Sequence, residues 1–363
     1  ALWLAPYVGS QAFAQVIAYA MVITASAVIS KSLAPSTSVS ATPNPGNRLQ
    51  LAPAGDNKLP VIYGTAYTGG IITDVSITND NQTLYYVLAL SEVTNTNSGQ
   101  TPDTITFGNV YWGGKQCLFE DATDLTKVTR LYDESTSTYE EQVNGNLYIY
   151  LYANGSNSLS SKNNNTSAIT VMSSSGLSYQ WDSTKLMSNC AFAILKLVYN
   201  SDANITGLQQ TKFQVTNSRT RPGDCFYDYL VSERYGAAIP IDQIDINSLN
   251  ELNYYSDAVI PYTTYSGTVA YLKRFEFDGV ADTSLNVMQN IQLMADSCNC
   301  LVKYNEIAST WGVIVQKPDY SIEMDLNDSN MVSAMSISPI DMAASYNVIE
   351  CKFPDSTNQD GFS

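Results

Sequence analysis

The chain has 363 residues and no histidine. That excludes Ser-His-Asp and Cys-His catalysis and every His-ligated zinc site, because each needs an imidazole to carry a proton or to bind the metal. Hydrolysis would have to run through carboxylates, through cysteine without a histidine partner, or through an oxygen-ligated metal. Basic residues are few: 18 Lys+Arg stand against 34 Asp+Glu, for a net charge of −16. A surface of that average sign repels nucleic acid, so sequence-specific DNA or RNA binding is not expected. The same repulsion would let DNA slide past a wall without adhering to it. No C-x-x-C pair occurs among the six cysteines, Cys117, Cys190, Cys225, Cys298, Cys300 and Cys351, which argues against a zinc ribbon or a thioredoxin-like site. Reduced, mostly buried thiols in a reducing cytoplasm are the expectation. Cys298 and Cys300 form a C-x-C that, on a strand, would point to one side and could not easily bond to each other.

Residues 1–30 carry no charge at all. Their core, AFAQVIAYAMVITASAVI (12–29), would cover about 27 Å as a helix, enough to span a bilayer core. No basic residues precede it, so a signal peptide fits poorly. Its Ala and Ser content permits close helix packing. Two readings are open for Phe13, Val16, Ile17, Met21 and Ile23: a helix packed inside an oligomer, or one that meets a membrane. Pro35, Pro43, Pro45, Pro53 and Pro60 keep the next stretch extended. The predicted organisation is a hydrophobic N-terminal helix (1–35), a Pro-rich linker (36–58) and a β-rich domain (59–220) with an inserted polar subdomain around 101–185. A helical connector (221–260), a strand-helix-hairpin domain (261–350) and the start of a further domain or tail (351–363) follow.

The fold class is mainly β with short packed helices (α+β). LPVIYGTAYTGGIITDVSIT alternates around Gly69-Gly70, and QTLYYVLALSEV adds a strongly apolar strand. ITFGNVYWGGKQCLF reads as a hairpin turning at Gly113-Gly114. NLYIYLY sets Leu147, Ile149 and Leu151 on one face and Tyr148, Tyr150 and Tyr152 on the other. Residues 153–178, rich in Asn, Ser and Gly, read as a polar excursion at the surface or in the inserted subdomain. The 25 tyrosines suit half-buried strands and interfaces better than a carbohydrate platform.

In RPGDCFYDYLVSERYG, Pro222, Gly223 and Asp224 look like a helix start, with Asp224 as the cap. Phe226, Tyr229 and Leu230 form its apolar face, and Tyr235-Gly236 is its stop. Ser248 and Glu251 have capping-box spacing for a second helix. In a third, Val287, Ile291, Met294 and Cys298 line one side, a stripe that suits core packing. A hairpin then sets Val302 and Tyr304 against Trp311, Val313 or Val315. Of the candidate acid pairs, Asp242 with Asp245 sits near a helix start, where the dipole favours acids, Asp325 with Asp328 lacks the EF-hand order, and Glu140 with Glu141 reads as a solvated pair. No catalytic residue, metal or cofactor is expected.

YDYLVSERYG with IPIDQIDI resembles the tail-tip central hub proteins of long-tailed bacteriophages, the family of the lambda tip attachment protein J. So does FEFDGVADTSLNVMQNIQLMADSCNCLVKYNEIASTWGVIVQKP. NKLPVIYGTAYTGGIITD is similar to that family's early strand pair, and the resemblance spans roughly 58–350. It implies β-barrel-like hub domains in a homotrimer at the distal end of the tail tube. It also implies contacts with distal tail, tail tube and tape-measure proteins, and phage DNA passing through without specific binding. The implied place is the virion tail tip, assembled in the host cytoplasm, with host membrane contact through the N-terminal helix left open. Phe226, Tyr229, Leu230, Tyr235, Gly236, Val287, Ile291, Met294 and Trp311 are then structural or interface candidates. The alternatives are a β-rich carbohydrate-binding adhesin and a carboxylate-dependent envelope glycosidase.

Overall fold

Two apolar strands that bury both of their faces organise the body. The computed structural model describes residues 50–318 apart from 52–56, 121–123, 175, 178–179 and 265, together with 325–327, 329–332, 348, 350, 352–355 and 358–362. The chain opens with β1 (Val61–Tyr63), β2 (Thr65–Thr68), β3 (Ile71–Ile77) and β4 (Thr83–Glu92). It continues with β5 (Ile105–Trp112), β6 (Lys115–Phe119), β7 (Val128–Asp133), β8 (Thr138–Glu140) and β9 (Leu147–Tyr152). Helix α1 (Ala168–Met172) precedes β10 (Cys190–Val198) and β11 (Thr211–Asn217). Then come α2 (Pro222–Val231), α3 (Ile246–Ser256), β12 (Val259–Thr263), β13 (Val269–Lys273) and β14 (Gly279–Ala281). Helix α4 (Val287–Ser297) leads into the hairpin of β15 (Cys300–Asn305) and β16 (Thr310–Val315). A small pair, β17 (Pro354–Asp355) and β18 (Gly361–Phe362), follows. The molecule is mainly β with packed helices, as its sequence predicts.

One sheet runs β14-β1-β4-β10-β9, with β3 also beside β4, and the other runs β2-β11-β5-β6-β7-β8. Neither closes into a barrel among the described residues. The sheets pack face to face over one core, to which β4 sends Leu84, Tyr86, Leu88 and Leu90, β9 sends Leu147, Ile149 and Leu151, and β11 sends Phe213 and Val215. Trp112 is fully buried there, beside the two-residue turn at Gly113 (φ 56°) and Gly114 (φ 84°), angles that glycine adopts freely. Within the stretch 101–185, β5 is an interior strand of one sheet and β9 an edge strand of the other.

The back face of β4 and β10 is covered as well. Tyr85, Val87, Ala89, Phe192 and Ile194 pack against Ala168, Val171 and Met172 of α1 and against Leu177 and Trp181. Tyr152 stacks on Phe192 with ring centroids 4.7 Å apart, and Trp181 Nε1 donates to Asp74 Oδ2 at 2.8 Å. The polar excursion therefore lays its few apolar residues across the sheet. That explains why TLYYVLALSE is apolar throughout rather than alternating.

A second core gathers α2, α3, α4 and the β15–β16 hairpin with Val61 and Tyr63 of β1. In the hairpin Val302 faces Val313 and Tyr304 faces Trp311, as expected. Three helix details differ from the sequence reading. The residue before α2 is Arg221, and Asp224 accepts instead from Asn253 Nδ2 at 2.8 Å. Helix α3 starts earlier: Asp245 is its cap, accepting from Ser248 N at 3.2 Å, while Ser248 Oγ accepts from Val313 N and Glu251 pairs with Lys317. In α4, Val287 is the first residue and 36% exposed, so the buried stripe is Asn290, Ile291, Met294, Ala295 and Cys298. The N-terminal segment with Phe13, Val16, Ile17, Met21 and Ile23, nearly all of the Pro-rich linker, Asp328 and Cys351 lie outside the described residues. Among the described residues no helix is long and apolar enough to cross a membrane.

Trp181→Ala should cost about 3 kcal/mol of stability in urea unfolding, the scale of a large side chain lost from a core. A loss below about 0.5 kcal/mol, as at an ordinary surface site, would show that the excursion does not secure the back face.

Candidate functional site

The structural centre lies where the sandwich meets the helical core, and three separated stretches build it. Alternation along β1 sends Ile62 into the sandwich and Val61 and Tyr63 into the helical core. The next residue, Gly64, has φ +61°, and a Cβ there would lie 1.9 Å from the Phe277 carbonyl oxygen and 2.4 Å from Asp278 Oδ1. Only glycine permits both that backbone angle and that approach. Its N–H donates to the Arg219 carbonyl at 2.9 Å, and its carbonyl accepts from Asn217 N at 2.8 Å. Asp278 Oδ1 accepts from Thr65 N at 2.7 Å, and Phe277 N donates to the Thr220 carbonyl at 2.8 Å. VIYGT, NSRTRPGD and FEFDG are thereby tied backbone to backbone.

Beside this knot lies a buried carboxylate. Asp228, on α2, is 3% exposed. Its Oδ2 accepts from the hydroxyls of Tyr63 at 2.7 Å and Tyr235 at 2.8 Å, and its Oδ1 accepts from Asn95 N at 2.8 Å. Burial raises its pKa above the usual carboxylate value, while the two tyrosines, Asn95 and the nearby Arg219 pull the other way. The Tyr63 hydroxyl is pushed up, first by burial and then by the Asp228 charge. A second, charge-assisted pair sits alongside. Arg219 Nε donates to Asp103 Oδ2 at 2.6 Å, Nη1 donates to the Asp224 carbonyl at 3.0 Å, and Thr94 donates its hydroxyl to Asp103 Oδ2 at 2.6 Å. Asn217 Nδ2 reaches the Ile62 carbonyl and Thr94 Oγ1, both at 2.8 Å.

The helices close on each other through two more glycines. A Cβ at Gly223 would lie 2.1 Å from the Leu249 carbonyl oxygen, where α2 crosses α3. A Cβ at Gly236 would lie 1.9 Å from the Tyr229 carbonyl oxygen. Gly236 is thus needed for close approach rather than for a left-handed helix stop, since α2 ends at Val231 and the left-handed residue of the loop is Ala238 (φ 53°). Tyr229 accepts from Asn290 Nδ2 at 2.9 Å, which links α2 to α4.

Of the residues singled out from the sequence, Phe226, Tyr229, Leu230, Tyr235, Ile291 and Met294 are buried together in the helical core. Trp311 packs half-buried against it, and Val287 lies outside it. Periodicity did not reveal Asp228, Asn95, Asp103, Asn217 or Arg219. Helical spacing gave no signal for Asp228: it lies about 150° round α2 from the face of Phe226, Tyr229 and Leu230, yet it is buried.

The hydroxyls and carboxylates of this joint bond one another in the interior and hold orientation. Elsewhere, Glu92 pairs with Arg234 Nε at 2.5 Å on the wall of a cavity of about 640 Å³ lined also by Ile71, Ile72, Met187 and Cys190. Burial pushes the Cys190 thiol up to about 12, which suppresses the reactive thiolate. Cys298 and Cys300 turn their sulfurs inward, 3.5 Å apart, and Cys298 is raised by sharing a hydrogen bond with Cys300 and by burial. Asp245 is a helix cap, and Glu140 pairs with Lys115. Among the described residues no group of three or more Cys, Asp or Glu side chains is placed to hold a metal ion.

In comparisons with known proteins, no family model and no curated protein matches the chain.

Gly64→Ala should destabilise the chain by more than about 2 kcal/mol in denaturant unfolding, since both a left-handed angle and a backbone clash oppose it. Asp228→Asn should cost about 2 kcal/mol at acid pH through lost hydrogen bonds. The raised folded-state pKa means that the stability Asp228 brings is full below its unfolded pKa of about 4 and declines as pH rises through the folded value. The gap between wild type and Asp228→Asn should therefore shrink from pH 4 towards neutrality. A gap that widens with pH would contradict the assigned shift.

Proposed function

We propose that this chain is the structural tail-tip hub, or baseplate hub, of a long-tailed bacteriophage. In this reading three copies form a ring that closes the distal end of the tail tube. The ring joins six-fold tube and distal-tail rings to a three-fold tip and takes part in host attachment and DNA ejection. Barrel-like hub domains would be completed between copies. The observation that supports the reading best is the joint itself. The three stretches that resemble the hub family, around Tyr63-Gly64, Tyr235-Gly236 and Phe277-Asp278, come from distant parts of the chain and meet within one hydrogen-bonded knot. Its residues hold geometry, as a scaffold requires, and most of the tyrosines there are buried rather than offered to a sugar. The net charge of −16 fits a lumen that DNA passes without sticking.

Electron microscopy of assembled tails, with the chain located by a bound antibody fragment, tests this directly. Three copies on the tail axis, next to the tube end, are expected. Location on side fibres or the head, or turnover of an envelope glycan by the purified chain, would replace the hub reading.

A further inference from the structure

The C-x-C at 298–300 spans the end of α4 and the start of β15. Along a single strand, residues two apart would carry their Cβ atoms roughly 6.6 Å from each other, beyond the span of about 3.5–4.5 Å that a disulfide requires. Only Cys300 lies on the strand. Cys298 caps α4 with φ −117° and ψ 16°, and Asn299 between them has φ 51°. That left-handed region is one that asparagine tolerates better than most residues. The resulting turn brings the two sulfurs to 3.5 Å, close to contact, with nothing between them.

Both thiols are in the helical core, Cys298 fully buried and Cys300 3% exposed. Cys298 Sγ donates to the Met294 carbonyl at 3.2 Å. Over the pair lies the β15–β16 hairpin. Among the described residues it joins no larger sheet, and its one further backbone bridge is that of Ile244 to Trp311. Leu301, Tyr304, Ile307 and Ile314 on it are exposed. A two-stranded ribbon with so much surface in water opens locally at lower cost than the interior strands of the sandwich.

We propose that Cys298 and Cys300 form a redox couple, which a peroxide closes to a disulfide between the end of α4 and β15 and which a thiol reductant reopens. One thiolate attacks the O–O bond of the peroxide and becomes a sulfenic acid, and the departing oxygen leaves as water. The second sulfur then displaces the sulfenic hydroxyl and gives up its proton, releasing a second water. Two S–H bonds and one O–O bond are exchanged for one S–S bond and two waters, and the peroxide is the species reduced. The hydrogen bond shared with Cys300 and burial keep Cys298 protonated in the closed molecule, so the first attack requires the hairpin to open. Closing the sulfurs to a bonded distance of about 2.05 Å removes the Cys298 S–H, and with it the bond to Met294. The two states therefore differ in the last turn of α4, the helix whose Asn290 bonds Tyr229 on α2. A loop of three residues costs the unfolded chain little entropy when closed, so the bond adds little stability and suits a switchable contact better than a permanent cross-link. The couple does not depend on the hub reading.

The test uses the full chain, reduced with dithiothreitol, freed of it and exposed to hydrogen peroxide under native conditions. Catalase then removes the peroxide, the chain is unfolded, free thiols are capped with N-ethylmaleimide, and tryptic peptides are weighed. Peptide 275–303 holds Cys298 and Cys300 and no other cysteine. In most copies it should lose both maleimide labels and be lighter than the dithiol by two hydrogens, and dithiothreitol should restore the dithiol. Cys117, Cys190 and Cys225, buried in the same molecule, should stay fully labelled, which shows that the chain kept its fold during oxidation. A peptide 275–303 that still takes both labels after peroxide, sulfinic acid in place of a disulfide, or a bond from either residue to Cys225 would each overturn the proposal.

Discussion

The contact on which the rest of the structure depends is the approach of the Phe277 carbonyl to the α-carbon of Gly64. No side chain fits between them, and the approach brings β1, the exit of β11 and the segment before β14 within hydrogen-bonding distance of one another. Apolar burial could hold two cores together at many angles, because the hydrophobic effect has no direction. Backbone hydrogen bonds at fixed positions select one angle. The Asp228 carboxylate adds to that selection by accepting from donors in β1, in the loop after β4 and in the loop after α2. A buried carboxylate contributes little net stability once its desolvation is counted. Misplacing any of its three donors would leave it underbonded in a dry site, so its main contribution is to orientation.

β1 makes the two cores one cooperative system. It is three residues long, yet it serves both: Ile62 is buried among sandwich residues, and Val61 and Tyr63 among those of the helices. Its pairing with β14 carries the chain directly into α4. Residues of the 221–260 connector and of the described part of the 261–350 domain pack into one buried core. Neither could be removed without exposing the other.

Strands and hairpins were legible because their signals are local. Period-two alternation in β9, the Gly-Gly turn after β5 and the facing pairs of β15 and β16 depend only on neighbours along the chain or across a tight turn. The back-face cover was not legible for the opposite reason. Ala168, Val171, Met172, Leu177 and Trp181 are isolated among Ser, Asn and Thr, and what they cover is a strand pair far away in sequence. Helix starts went astray where two residues could each cap. Ser248 and Asp245 are both good acceptors, and the choice was settled by β16, whose Val313 N–H takes the Ser248 hydroxyl. Gly236 matters for a different physical reason from the one its place after a helix suggests. A glycine after a helix suggests a left-handed stop, whereas here the constraint is the Tyr229 carbonyl packed against its α-carbon. The joint itself was hidden because its residues are spread from position 62 to 278, and helical spacing sets Asp228 off the Phe226, Tyr229 and Leu230 face, where an acid is ordinary.

How the sheet edges are treated bears on how the molecule meets others. Exposed edges invite unwanted pairing, and folded proteins usually blunt them. Here β8 and β14 are only three residues long, β2 has its Tyr67 N–H taken by Asp360, β3 is met by Leu51, and β15 carries Lys303 at its centre. On the other side of its hairpin, β16 touches Ile244 through an isolated bridge. β12 carries Pro261. Among the described residues β13 pairs only with β12; it exposes Val269, Tyr271 and Leu272 and carries one charge, Lys273, at its end.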